Sequence, residues 1–198
     1  LREAGFDDVW MQPAAGDAGG ALGAAMFVWH QLLDNPRTAD ETHDRQQASH
    51  LGPAFTDDEI RAALDEAGAV YKKCNNEDEL LERLAQLLAE GNVVGHFHGR
   101  MEFGPRALGN RSILGDPRSA TMQSTMNLKI KFRESFRPFA PAILREDVDE
   151  FFEMRPNEDS PYMLLVAPVK QDKRLEIDPA ATGLDKLYQR RSVVPAIT

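Results

Sequence analysis

The sequence predicts an α/β or α+β layer built from strand, helix and strand, and three stretches carry the prediction. Thr56-Asp57-Asp58-Glu59 is a capping-box signature, and Ile60, Ala63, Leu64 and Ala67 follow it at helical spacing. From Glu77 to Glu90, Leu80, Leu81, Leu84, Leu87 and Leu88 share one face of an amphipathic helix, with Gly91 as its stop. Asn92 to His98 then reads as a mostly buried strand ending at Gly99.

In chain order, PAAGDAGGALGAAMFVWHQLL places small residues before an apolar run, Ala21 to Leu33, that suits a buried helix. Asp17 stands at its start, either as a helix cap or as a carboxylate presented to a metal or phosphate. Residues 34–47 are polar, with Pro and no apolar periodicity, and read as a connection between two units, 1–47 and 48–198. The first helix of the second unit ends at Gly68, and Val70 to Cys74 reads as a short strand. His96 and His98 alternate on the following strand with no third ligand nearby, so packing or a hydrogen bond suits them better than a metal. A glycine-punctuated loop spans Gly99 to Gly115. Asp116-Pro117 opens a helix to about Leu128, and Lys129, Lys131 and Arg133 alternate, so an extended backbone would project them to one face. AILRE reads as a strand before an acidic helix from Asp147 to Glu153, and YMLLVAPVK as a further strand. The chain opens inside what reads as an element already under way and ends on an apolar run, the pattern of a segment excised from a longer protein.

Composition bounds the partners. At 198 residues with 42% apolar content the chain supports a packed core, and no run approaches the roughly 20 apolar residues of a membrane span. The opening LREAGFDD has neither a basic n-region nor an apolar h-region, and the lone Cys74 permits no internal disulfide, so a reduced cytoplasm is the expected location. A net charge of −9 opposes wholesale binding to nucleic acid or anionic membranes.

Positive charge is nevertheless concentrated in one place. Nine of the 23 basic residues but only three of the 32 acidic ones lie between Arg100 and Arg145, leaving 14 and 29 for the rest of the chain. Many of these arginines sit among Gly, Pro, Asn and Ser, where guanidinium groups and bare backbone N–H groups converge on an anion. The expected partner is a small anion.

GRMEFGPRALGNRSILGDPR followed by NLKIKFRESFRPFAP closely resembles the C-terminal domain of the O-carbamoyltransferases of nodulation-factor, cephamycin and aminoglycoside biosynthesis. The resemblance implies a YrdC-like domain, a twisted mixed sheet flanked by helices, over 48–198 with its C-terminus truncated. It likewise makes residues 1–47 the tail and linker of a preceding actin-like transfer domain. It implies that carbamoyl phosphate and ATP, with Mg²⁺, give carbamoyl-adenylate, and that the missing N-terminal domain in cis transfers the carbamoyl group to a small-molecule hydroxyl acceptor. The transfer site would use iron or another divalent metal, held by two upstream histidines and an aspartate that Asp17 matches. Arg106, Arg111 and Lys131 are the expected catalytic residues. Arg100, Arg106 and Arg111 are expected on the phosphates of carbamoyl phosphate or ATP, with Asn110 and Ser112 adding uncharged hydrogen bonds. Asn127, Lys129, Lys131, Arg133 and Arg137 complete the substrate-binding set, and Glu102 orients an arginine. Arg118 and Arg145 are expected in surface ion pairs, more than Arg106, Arg111 or Arg137.

Two rivals stand beside this reading: a YrdC-like RNA-binding module and a regulatory domain that binds nucleotide without turnover. The aromatic residues near the basic run, Phe97, Phe103, Phe132, Phe136 and Phe139, stand mostly in apolar contexts that suggest core rather than base stacking.

Overall fold

A computed structural model describes residues 5–6, 9–38, 40, 42–155, 158–183 and 185–198. The expected element at the opening residues 1–4 lies outside these. The fold mixes helices with a two-stranded antiparallel sheet: α1 Asp17–Phe27, α2 Asp57–Glu66, α3 Glu77–Ala89, β1 Val94–Phe97, β2 Arg111–Leu114, α4 Met122–Thr125, α5 Val148–Phe151 and α6 Asp185–Tyr188. Packing divides it into two compact units. The first comprises 1–60, 97–111 and 160–164, and the second 61–96, 112–159 and 165–198.

The helix signals act as the sequence predicts. The Thr56 hydroxyl accepts the Glu59 N–H at 3.3 Å while the Glu59 carboxylate accepts the Thr56 N–H at 2.7 Å. The Asn76 side chain caps α3 by accepting the Glu79 N–H at 2.8 Å. β1 follows within the predicted 92–98 span, and the His98 N–H to Asn110 carbonyl bond, 3.0 Å, extends its pairing with β2.

Several expectations are corrected. Residues 70–74, 142–146 and 162–170 carry no strand. Val70 is fully exposed, and the third stretch makes only the bridge of Val169 to Phe152, because an extended apolar run becomes a strand only where a partner edge takes its N–H and C=O groups. The helix over Ala21 to Leu33 forms, as α1 continued by a π-helical turn at Val28–Leu32, yet it contains no buried residue and leaves Phe27 66% and Leu32 74% exposed. Gly16, not Asp17, is its N-cap. The helix expected from Pro117 begins at Met122, and Met126–Ile130 continues it as a π-helical turn closed by the Lys131 N–H on the Met126 carbonyl. Lys129 and Lys131 therefore lie two apart on a helical turn, where neighbours do not share a face.

The second unit is centred on Met122, Met126 and Ala196, with Val93 and Phe139 packed against them. Asn127 beside them is fully buried. Its amide donates to the carbonyls of Ser135 at 3.0 Å and Arg137 at 2.9 Å, and its oxygen accepts Nε–H of Arg133 at 2.6 Å.

In the first unit the glycine-rich loop is shaped by one carboxylate. Glu102 is 4% exposed, and its Oε1 accepts the N–H groups of Leu108 at 2.7 Å, Asn110 at 2.8 Å and Arg111 at 3.3 Å, while Oε2 accepts Nε–H of Arg111 at 3.2 Å. Burial pushes its carboxyl up, but the N–H groups of Leu108 and Asn110 and the Arg111 guanidinium outweigh burial and hold it down at about 2, against an ordinary 4.5. A carboxyl depressed in the folded state stabilises the fold at pH values above its unfolded value, and that contribution is lost as pH falls through about 2. The shift corresponds to about 3 kcal/mol. Urea unfolding at stepped pH will show stability falling between about pH 4.5 and 2. Glu102→Gln will cost about 1–3 kcal/mol at neutral pH and flatten the slope over that window. Equal slopes in the two proteins would contradict the assignment.

Candidate functional site

Arg100, Glu102, Arg106, Asn110 and Arg111 fall in the first unit with Asp17, and Ser112, Asn127, Lys129, Lys131, Arg133 and Arg137 in the second. Glu102 orients Arg111 through its Nε, and the Arg111 Nη2 donates to the Gly104 carbonyl at 3.1 Å. The guanidinium is thus braced at two points while its side chain keeps 34% exposure. Asn110 closes the loop by donating from its side-chain amide to the Arg100 carbonyl at 2.7 Å.

Gly104 connects this loop to a cavity of about 510 Å³ within the same unit. The walls are the start of α1 at 14–18, the run Gly104, Pro105 and Arg106, and residues 162–164. Gly104 has φ +111, and a Cβ there would stand 3.3 Å from the Cβ of Ala14, so a side chain would be strained in backbone and crowd the α1 start. The cavity therefore brings together the exposed Arg106, Asp17 and the start of α1, where the Gly19 N–H is taken by the Ala14 carbonyl at 2.8 Å and the Gly20 N–H by the Gly16 carbonyl at 2.9 Å. Its volume lies in the range of ligand pockets.

A metal at Asp17 finds no ligand set here. Among the described residues no three His, Cys, Asp or Glu side chains converge, and Asp17 itself is exposed.

In the second unit Arg133 is braced as Arg111 is. Asn127 holds its Nε, and its guanidinium carbon lies 5.0 Å from the centroid of the Phe139 ring. Lys129 and Lys131 are exposed, and Ser112 sits on β2. Arg137, also expected in the site, makes an exposed pair with Glu134 at 3.1 Å. Arg118 pairs with Asp116 at 2.7 Å and Arg145 with Asp159 at 3.6 Å, both arginines about two-thirds exposed, as expected of surface ion pairs.

Sequence reasoning missed Tyr162 and Asp44. The Tyr162 hydroxyl donates to Asp44 and accepts the Ala48 N–H at 3.1 Å, and Tyr162 also lines the cavity. Burial and the Asp44 carboxylate both push the phenol up. The partners are 118 positions apart, and no local pattern in the sequence links them.

Comparison with known proteins places this arrangement in context. The chain is 55% identical to uncharacterized protein sll1178 of Synechocystis over its whole length, covering 32% of that protein. It is 44% identical to nodulation protein NolNO of Sinorhizobium fredii, over 88% of the chain and 25% of the relative. Against nodulation protein U of Bradyrhizobium diazoefficiens the identity is 35%, over 93% of the chain and 29% of the relative. The chain thus spans a third or less of the length of these curated relatives. Residues 85–196, more than half of it and the whole of the Glu102 loop, match the model of the carbamoyltransferase C-terminus, and the chain belongs to that family.

Proposed function

We propose that this segment is the C-terminal part of an O-carbamoyltransferase and binds carbamoyl phosphate and ATP to make carbamoyl-adenylate. In balance, carbamoyl phosphate, ATP and water give carbamoyl-adenylate, pyrophosphate and phosphate. Transfer to a hydroxyl of a small-molecule acceptor then belongs to the whole protein. The finer fold assignment, a YrdC-like domain, is part of the same proposal, as are Mg²⁺ on the nucleotide and a cytoplasmic location. Family membership supports the carbamoyl chemistry.

The observation that carries the donor and nucleotide reading is the braced Arg111. Two polyanions brought into one site repel each other, and phosphoryl and adenylyl transfer depend on positioning them and cancelling their charge. An arginine free to sample rotamers loses that freedom on binding, whereas Glu102 and Gly104 already fix Arg111 and leave its other N–H groups for an anion. Arg106, at the cavity wall beside Gly104, and Arg100 are assigned to the same phosphates. In the second unit Lys129, Lys131 and the braced Arg133 are assigned to substrate phosphates, with Asn127 as the brace and Ser112 and Arg137 as further contacts. A transfer-site metal would take Asp17 as one ligand and the others from outside this chain.

Two measurements check the reading. Isothermal titration of the segment with ATP and Mg²⁺ will give measurable binding heat, and its absence in protein shown folded by circular dichroism would refute nucleotide binding. In the full-length protein, Arg111→Ala will lower carbamoyl-phosphate-dependent pyrophosphate release about ten- to a hundredfold, the loss expected for a charge-assisted bond to an anion. Arg145→Ala, which removes an exposed pair worth about 0–1 kcal/mol, will change it little. Equal effects would contradict the assignment, and a salt-dependent shift of RNA in place of ATP binding would favour the RNA-binding alternative.

A further inference from the structure

We propose that Tyr162, with Asp44, is a positioning latch for the arginine-bearing loop: its hydroxyl holds a left-handed turn at 47–49 whose last carbonyl fixes the backbone beside Glu102. Gln47, Ala48 and Ser49 have φ of 51°, 50° and 64°, and none is glycine. Three successive residues in that region crowd Cβ against the following carbonyl and persist only where their surroundings over-determine them. Asp44 supplies the first constraint, accepting the N–H groups of Gln46 at 2.9 Å and Ala48 at 3.1 Å. Tyr162 supplies the second by bonding to both Asp44 and the Ala48 N–H. Tyr162 is itself set on a turn, closed by the Met163 N–H on the Ser160 carbonyl at 3.1 Å and the Leu164 N–H on the Ser160 hydroxyl at 3.1 Å.

The turn delivers its effect at Ser49, which is 2% exposed. The Ser49 carbonyl accepts the Phe103 N–H at 2.6 Å, and two further bonds, Gly52 N–H to the Met101 carbonyl and Met101 N–H to the Pro53 carbonyl, each 2.9 Å, run alongside. A Cβ at Gly52 would meet the Met101 carbonyl oxygen at 2.9 Å, so the two strands of chain approach as closely as only glycine allows. Glu102 therefore has both flanking residues pinned to 49–53, and its carboxylate in turn holds Arg111. The aromatic ring of Tyr162 belongs to a residue that lines the cavity shared with Arg106 and Asp17, so one side chain contributes to the cavity wall and to the loop behind it. The inference rests on the carbamoyl phosphate reading for its kinetic arm only.

The test uses the full-length protein. Tyr162→Phe deletes the hydroxyl and keeps the ring. Hydrogen–deuterium exchange of the 101–111 backbone is expected to quicken roughly tenfold, as loss of about one hydrogen bond at the latch implies. The KM for carbamoyl phosphate is expected to rise by about the same factor with kcat changed less than about twofold, the signature of binding energy lost equally from the ground and transition states when the arginine is no longer preorganised. Adding Ala48→Gly is expected to bring both back to within about threefold of wild type, because glycine takes a φ near +50° without the Cβ clash. Asp44→Asn should move both readouts in the same direction as Tyr162→Phe. Exchange and KM equal to wild type would overturn the proposal, as would an exchange increase that spreads over the whole protein and is not repaired by Ala48→Gly. A wild-type protein with no carbamoyl-phosphate-dependent pyrophosphate release would sink the functional reading instead, and the exchange measurements with their glycine rescue would still decide the latch.

Discussion

A carboxylate taken out of water must be met by donors, and the burial of Glu102 is the constraint from which the first unit's arrangement follows. Its side chain is shielded from solvent and takes three backbone N–H groups and a guanidinium Nε, all from residues six to nine positions ahead of it. A loop with no regular secondary structure thereby gains a single shape, because every departure from that shape uncovers a buried charge. Arg111 is held as part of the same arrangement, and its second bond, to the Gly104 carbonyl, fixes the residue that approaches the start of α1. An apolar side chain of similar size at position 102 would fill the volume and leave those N–H groups and the guanidinium without a common acceptor.

The chain uses arginine in two physically different ways. Arg111 and Arg133 are braced by groups that are themselves buried, the Glu102 carboxylate and the Asn127 amide, each within its own unit. Arg137 and Arg145 meet carboxylates at the surface, where solvent and salt reduce the interaction and the side chains keep much of their freedom, while the two-thirds exposed Arg118 lies between the two kinds, gripped through Nε and Nη2 by the buried Asp116. Only the first kind has given up its rotamer entropy before a ligand arrives. Basic residues crowded in one stretch of sequence are therefore not equivalent, and what separates them is the burial of the partner rather than the distance to it.

That distinction was only partly legible in the sequence. Local signals read directly: Thr56 and Glu59 cap α2 reciprocally, Asn76 caps α3, and Gly91 follows its end, because each works within four or five residues of chain. The density of arginine among Gly and Asn pointed to the loop, and Glu102 is its sole acid between Arg100 and Gly115. Strand assignments at 70–74 and 162–170 failed because apolar alternation specifies a face and says nothing of whether a neighbouring edge exists. The exposed helix over Phe27 and Leu32 failed similarly, since an apolar sequence states a demand for cover and the described residues supply none there. Arg137 meets Glu134 three positions before it, an exposed pair at 3.1 Å that local sequence also contained. Asp44 and Tyr162 were invisible for the opposite reason: their meaning lies in a contact across 118 positions.

The charge balance bears on what such bracing would select under the proposed function. With 29 acids outside the basic stretch, the chain's field repels an approaching polyanion over most of its surface, and at physiological salt that repulsion extends about 8 Å. A compact anion that reaches a fixed guanidinium gains charge-assisted bonds that need little rearrangement of the protein. For the ligands proposed above, braced arginines on an acidic background would favour a compact anion over an extended one. Loosening the loop would cost this preorganisation even if every basic residue were kept, since a mobile guanidinium must give up its rotamer freedom when an anion arrives.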